Sequence, residues 1–300
     1  MAGMVMQYFL DARVFRASLS AAILVSSGCL SEPSPDDVAE TEISAEVLAD
    51  NGISVNGISV NGISVNGTSL NGISVNGISV TGSQLAGVYS TGEAASGAAL
   101  VGASLTARLS DSTTLELRID GTAMLSSPNS DLRMYTVSYA TSSGWRPLCP
   151  NANEALAFPG TWNLGTVRHQ SDSNMFSFAC RGATIAKCAE LGYKGDSLLD
   201  TYHQACTRAI RADYCGDGQS HTITGTEINI FDKLGRQLDT QSWVVESNWT
   251  PDGAICIEEA RVLTSLKEPD VPSCIARRAK VHCTTNSWPD DVLIRTEVNK

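Results

Sequence analysis

Eight cysteines lie between positions 149 and 283, namely Cys149, Cys180, Cys188, Cys206, Cys215, Cys256, Cys274 and Cys283, and a ninth, Cys29, stands far upstream. No C-x-x-C pair occurs, and no Cys/His cluster has zinc spacing. The eight therefore read as disulfides rather than metal ligands, with no metal and no cofactor implied. An even number in an exported chain allows up to four bridges among 105 pairings. The spacing narrows this. Cys188, Cys206 and Cys215 are separated by 18 and 9 positions, and Cys256, Cys274 and Cys283 repeat those intervals. The local sequences echo each other, ACTRAIRADYC against SCIARRAKVHC, which fits either an internal duplication or coincidence. If Cys149 pairs with Cys180, each triplet is odd, and at least one bridge must join them. Such long loops stabilise by about 3–4 kcal/mol per bridge in the chain-entropy model.

Disulfides require export, and the N-terminus carries a matching address. Arg13 and Arg16 precede the apolar run Ala17 to Val25, followed by Ser26-Ser27-Gly28-Cys29. A basic region, a short hydrophobic core and small residues at the cut form a secretory signal, and the core is too short to span a bilayer. The run resembles a bacterial lipobox, with Ser26 where a leucine is usual. That resemblance implies a signal peptide over 1–28 and lipidation of Cys29, anchoring the protein in the bacterial envelope at the outer membrane or cell surface. The alternative is plain cleavage that leaves Cys29 an odd thiol. A formal charge of −11 excludes a nucleic-acid partner, which needs clustered Lys and Arg.

Residues 29–50, rich in Ser, Pro, Asp and Glu, cannot bury enough surface to order themselves and read as a flexible tether. From Asn51 a five-residue period follows, NGISV with variants, for seven units ending at Leu85. It resembles the pentapeptide-repeat family, which implies a short β-solenoid with inward pairs such as Ile53/Val55, Ile58/Val60 and Thr68/Leu70. Ile is bulkier than that family's usual Ala. Seven units make under two square turns, too few neighbours to bury a core unless the stack docks on the next domain. The competing reading is an irregular linker, since Asn-Gly pairs are strong turn formers. The Gly/Ala/Ser-rich chain to Ser104 extends the segment over 51–104, expected to be a spacer or adhesive stalk.

From Leu105 the pattern changes to alternating strands, Thr114–Ile119 and Leu132–Tyr139, each with one wet face. Gly144–Cys149 and Phe158–Trp162 read as loops leading into strands, and Met175–Ala179 as a short strand. Thr184–Leu191 reads as a helix closed by Gly192. Ser197–Arg211 is a longer one, with Ser197 as cap and Leu198, Leu199, Tyr202, Cys206, Ala209 and Ile210 on one face. The two form a helical hairpin. Asp217-Gly218 then turns into strands expected at His221–Thr224 and Glu227–Phe231.

Ala212-Asp213-Tyr214-Cys215 is the signature of the ADYC domain, and the chain resembles that family well beyond four letters. Phe178–Gly182, Lys187–Lys194, His203–Cys206, Arg211–Gly218, Ser220–Thr222, Ser287–Val292 and Ile294–Glu297 carry the likeness. The resemblance covers 105–300 and implies a secreted or lipid-anchored protein of a family without an assigned activity. The expected fold class is α+β: a short solenoid-like segment, then a mainly antiparallel β domain with a cysteine-rich helical hairpin.

The candidates for chemistry are His203, Asp213 and His221, with Tyr214 and Asp217 nearby, since a His with a carboxylate and a hydroxyl can do acid–base or nucleophilic work. No G-x-S-x-G elbow or HExxH motif accompanies them. Asp213-x-x-x-Asp217-Gly218 resembles a calcium loop, but Cys215 replaces one ligand and Thr224 stands where the closing Glu belongs. Trp243, Trp249 and Trp288 suit packing under loops, with carbohydrate stacking as the alternative. Arg277, Arg278 and Lys280 read as the solvated face of a short helix. The function expected is binding or structural work on an envelope protein or glycan. The alternative is a hydrolytic enzyme acting on envelope or extracellular polymer, which requires His203, Asp213 and His221 to converge in one open pocket.

Overall fold

The computed structural model describes residues 63–64, 68–70, 73–89, 92, 94–108, 114–149, 154–163, 165–171, 175–195, 199–223, 225–238, 243–261, 273–285 and 287–299. The signal peptide, Cys29, the tether, the repeat units before Ile63 and the cap at Ser197 lie outside these residues.

Eleven strands form one antiparallel sheet. They are β1 (Ile63–Ser64), β2 (Thr68–Leu70), β3 (Ile73–Thr81), β4 (Gln84–Tyr89), β5 (Ala94–Ser96), β6 (Ala103–Arg108), β7 (Thr114–Met124), β8 (Arg133–Thr141), β9 (Gly144–Pro147), β10 (Ala155–Pro159) and β13 (Met175–Cys180). Their order is β1-β13-β10-β8-β7-β6-β2-β3-β4-β5, with β9 beside β8. Strands β11 (Thr161–Asn163) and β12 (Arg168–Gln170) make a separate ribbon. The third sheet, in the order β14-β17-β15-β16, comprises β14 (Ile228–Asp232), β15 (Val244–Thr250), β16 (Gly253–Ile257) and β17 (Ile294–Val298).

The described repeats do not coil into a solenoid. They pair antiparallel, β2 with β3 (Thr68 opposite Val75) and β3 with β4 (Val80 opposite Leu85). The reason lies in the period. In a strand successive residues alternate faces, so an odd repeat of five sends each Ile/Val pair to the opposite face. Between Val75 and Ile78, three residues of β3 span two of β4, and this bulge brings Ile78 back into step with Val75. The Asn76-Gly77 pair is absorbed inside the strand rather than turning the chain. Strand β6 then pairs both β2 and β7, so the sheet runs unbroken from the repeats across Leu105. A 3-10 turn over Gly97–Leu100 stands where the stack was expected to continue.

Three helices are described: α1 (Thr184–Glu190), α2 (Asp200–Arg211) and α3 (Ser273–Arg278). The expected strand at His221–Thr224 is absent among its described residues, His221–Ile223 being irregular. Helix α2 is buried at every position from His203 to Ile210, because apolar clusters close on it from two sides. Phe158, Trp162 and Ile185 belong to one cluster, and Tyr214, Trp249 and Ile294 to the other.

Four disulfides pin these parts. Cys149–Cys180 ties the segment after β9 to the end of β13, Cys188–Cys206 locks α1 to α2, and Cys256–Cys283 holds the C-terminal segment to β16. Cys215–Cys274, with a sequence separation of 59, joins the two triplets. It is the bridge that parity requires.

Candidate functional site

Helix α2 ends in a left-handed residue, Ala212 (φ 51, ψ 40). The Asp213 amide reaches back to the Arg208 carbonyl at 2.9 Å and the Ala212 amide to Ala209 at 3.1 Å, which closes the helix as a Schellman motif. Asp213 then organises the loop that follows. Its Oδ1 accepts from the amides of Gly216 (2.9 Å) and Asp217 (3.1 Å), and its Oδ2 from Gly218 (3.0 Å) and from the Arg208 guanidinium. Arg208, also buried, donates to the carbonyls of Thr166 (2.7 Å) and Pro251 (3.2 Å). The loop is packed so closely that a Cβ on Gly216 (φ +72) would lie 2.1 Å from the Asp252 carbonyl oxygen.

Tyr214 points the other way, into the third sheet. Its hydroxyl donates to Glu246 Oε1 at 2.7 Å. Glu246 is the extra residue of a bulge between Val245 and Ser247, and bulges re-aim side chains. Its carboxylate also accepts from Arg261 Nε and Nη2 and from Thr296 Oγ1, all at 2.7 Å. Arg261 in turn donates to the carbonyls of Ala209 (2.7 Å) and Ile210 (2.9 Å), satisfying orphan groups at the end of α2. Burial works against the Arg261 charge, but Glu246 outweighs it and its pKa is raised. Burial, reinforced by the Glu246 charge, pushes the Tyr214 phenol well above its ordinary range. Cys215 completes the motif through its bridge to Cys274. Ala212 thus closes α2, Asp213 orders the loop that follows, Tyr214 fastens it to the third sheet, and Cys215 bridges it to α3.

Of the three candidates for catalysis, His203 and Asp213 are fully buried, so no open pocket unites them with His221. The Nε2 of His203 lies 3.0 Å from the Ile185 carbonyl, its ring is 4.2 Å from that of Phe158, and burial lowers its pKa to about 4. Asp213 is fully buried in its loop. His221 is half-buried, 5.8 Å from the Tyr214 ring, with its pKa lowered by burial.

A histidine that sequence reasoning passed over is more interesting. His169 on β12 places Nδ1 2.5 Å from Asp200 Oδ1 and Nε2 2.8 Å from the Pro159 carbonyl, while its backbone amide donates to Gln204 at 2.7 Å. Burial alone opposes the Asp200 charge, but the His169 bond overcomes it and keeps its pKa below the ordinary carboxylate value. The ribbon β11–β12 is thereby clamped onto α2. The side chain of His169 is only 4% exposed, against 34% for Asp200, so the imidazole itself is covered and the carboxylate forms the outer side of the pair. Among the described residues no cluster of His, Cys, Asp and Glu is arranged to hold a metal.

Of the C-terminal tryptophans, Trp249 is fully buried and donates to Thr296 Oγ1 at 2.7 Å, while Trp288 lies under the Arg295 guanidinium at 4.8 Å. At the end of α3, Arg278 is half-buried and its pKa is lowered by burial, while Arg277 and, in the turn that follows, Lys280 are exposed.

An accessible concavity lies elsewhere among the described residues. A cleft of about 770 Å³ opens between the end of the helical hairpin and the β14 edge of the third sheet. Its apolar walls are Leu191, Ile210, Ile228 and Ile230, and its charged rim includes Arg181, Lys187, Glu154 and Glu190. Arg181 bonds Glu154 at 2.7 Å and approaches Glu190 at 3.4 Å, and these contacts, led by that to Glu154, raise its pKa. None of His203, Asp213 and His221 lines this cleft.

Fold and site thus define a disulfide-pinned, mainly antiparallel β protein built around a buried helical hairpin. Residues 97–263 match the ADYC domain, more than half of the 300 residues, and the chain belongs to the ADYC domain family. No curated protein and no solved structure matches it. The third sheet extends past the matched region, since β17 lies between β14 and β15. Four disulfides fit an oxidising, extracytoplasmic compartment, and among the described residues no helix is long and apolar enough to cross a membrane.

Proposed function

We propose that this protein is a lipid-anchored component of the bacterial envelope whose rigid ADYC domain binds an envelope ligand and does not transform it. The observation that carries the binding reading is the fate of the acid–base groups. His203 and Asp213 are fully buried and spent on packing and loop closure, whereas the open cleft is walled by aliphatic side chains. General acid–base catalysis needs a group within hydrogen-bond reach of a bound substrate, and these two have no such access. The bridges add rigidity, which lowers the ordering cost of binding. The anchor follows from the lipobox-like run ending at Cys29, with the tether and the first repeats as a spacer.

The anchor is tested by metabolic labelling with a radioactive fatty acid followed by membrane fractionation. Label should enter the wild-type chain and be lost, together with membrane association, in Cys29→Ala. Label retained by that variant would overturn the anchor. Hydrolysis of envelope polymer by the purified domain, abolished by His221→Ala without loss of stability, would overturn the binding reading.

A further inference from the structure

The cleft beside the helical hairpin is formed by elements distant in sequence. Ile228 and Ile230 come from the edge strand β14, Leu191 from the end of α1 and Ile210 from the end of α2. We infer that it binds a short peptide with aliphatic side chains and free, charged termini, an inference that rests on the binding reading above.

Size admits such a ligand, since small-molecule sites commonly enclose about 300–1,000 Å³. The walls then narrow the chemistry. Leu191, Ile228 and Ile230 are each only half-buried, so a ligand covering them removes further apolar surface from water. No aromatic ring lines the cleft among the described residues. Sugars and nucleobases are typically held by stacking on such rings, and the site offers none. A bare alkyl chain fits poorly for the opposite reason. Asn129 and Thr226 share the walls with the isoleucines, and an alkyl chain laid against them would dry polar groups without bonding them. A peptide presents both characters in alternation, with aliphatic side chains and an amide donor and acceptor at nearly every residue.

The rim supplies the second, independent criterion. Its described charges balance, with Arg181 and Lys187 against Glu154 and Glu190, while the charge of Arg261 is neutralised by Glu246. The signs are interleaved rather than separated, since Arg181 lies 2.7 Å from Glu154 and 3.4 Å from Glu190. A ligand of one sign would meet repulsion from half of these groups. A zwitterion complements them, its ammonium near the glutamates and its carboxylate near Arg181 and Lys187.

The test uses the full disulfide-bonded chain and radiolabelled trileucine with free termini in equilibrium dialysis. Saturable binding is expected, weakened about tenfold or more when both termini are capped, the equivalent of about 1.4 kcal/mol. Lys187→Glu should weaken the free peptide and leave the capped one unchanged. Ile228→Asp should abolish binding, while Val281→Asp, at an exposed site on another element, should not alter it. If Ile228→Asp fails to fold, Thr226→Trp fills the cleft from its rim and should abolish binding equally. Absence of binding to the wild type would overturn the proposal. So would equal affinity for capped and free peptide, displacement by maltotriose, or tighter binding of dodecylphosphocholine. Retained lipid labelling of Cys29 in that event would leave the anchor standing and remove only this ligand.

Discussion

The phenol ring of Tyr214 lies against the indole of Trp249, with centroids 5.3 Å apart and planes 18° from parallel, and both residues are fully buried. This contact places the third letter of the family motif at the centre of the apolar cluster between α2 and the third sheet. The hydroxyl, donating to Glu246, makes the packing directional. Tyr214→Phe keeps the ring and removes one donor from a buried carboxylate, which should cost about 1–3 kcal/mol. Tyr214→Ala also empties the ring's volume and should cost about 3–5 kcal/mol. Urea unfolding under non-reducing conditions checks both, and a Phe variant as stable as wild type would show that the hydroxyl contributes nothing net.

Arg208 and Asp213 form a buried pair, 1% and 0% exposed. Asp213→Asn retains the shape but leaves the guanidinium without its counter-charge, and breaking a buried pair typically costs about 3–5 kcal/mol. Because Asp213 also holds three loop amides, the loop before His221 should loosen as well. Hydrogen exchange at Gly216, Asp217 and Gly218 should accelerate. A drop in stability without faster exchange there would mean that the loop is held by other contacts.

The bridges should not be equivalent. Cys215–Cys274 spans a sequence separation of 59 and Cys188–Cys206 one of 18. In the chain-entropy model, replacing both cysteines of the first by serine should cost about 4 kcal/mol, against about 3 kcal/mol for the second. Thermal midpoints of the two double variants should fall in that order. The reverse order would place residual structure in the unfolded chain of the longer loop.

Gly216→Ala tests the tightness of the same loop. Its φ of +72 disfavours any L side chain, and the added methyl would lie 2.1 Å from the Asp252 carbonyl oxygen. The conformational strain alone is about 1–3 kcal/mol, and the clash adds to it. The secreted yield and the melting temperature should both fall sharply. Gly182→Ala, also at positive φ but with nothing within 4 Å of the added methyl, should cost the strain alone.

What the sequence made legible follows from how local each signal is. The cysteine parity located a bridge between the triplets because counting needs no geometry, and helices α1 and α2 followed from three-and-four spacing and a closing glycine. The described repeats pair as antiparallel strands, and β3 accommodates the odd period through the register shift between Val75 and Ile78, which the spacing of five does not announce. A single apolar face on α2 implies a wet opposite side, yet His203, which is not on that face, is fully buried. From His203 to Ile210 the only charged residue is Arg208, and that scarcity was the available sign of burial on both sides. The His169–Asp200 contact is not legible in the sequence, since residues 31 positions apart (200 − 169) meet only when β11–β12 folds back onto α2. Glu246 was equally hidden, its inward turn depending on a bulge that no spacing announces.

The burial of His203 fixes a pH dependence. Its folded pKa of about 4 lies below the ordinary 6.5 because burial in the Phe158 and Trp162 cluster penalises the charged ring. The unfolded chain therefore takes up a proton that the folded chain refuses as pH falls through 6.5. The contribution is fully present above pH 6.5, is lost progressively down to about pH 4, and amounts to about 3 kcal/mol across that window. His221, also lowered by burial, acts in the same direction. Asp200, held below its ordinary value of 3.8 by His169, adds a further loss only under more acidic conditions. Urea midpoints measured between pH 7 and pH 4 should decline steadily, with the bridges intact throughout. His203→Gln should start from a lower midpoint at pH 7 and show a flatter decline. An unchanged slope in that variant would remove His203 as the group responsible.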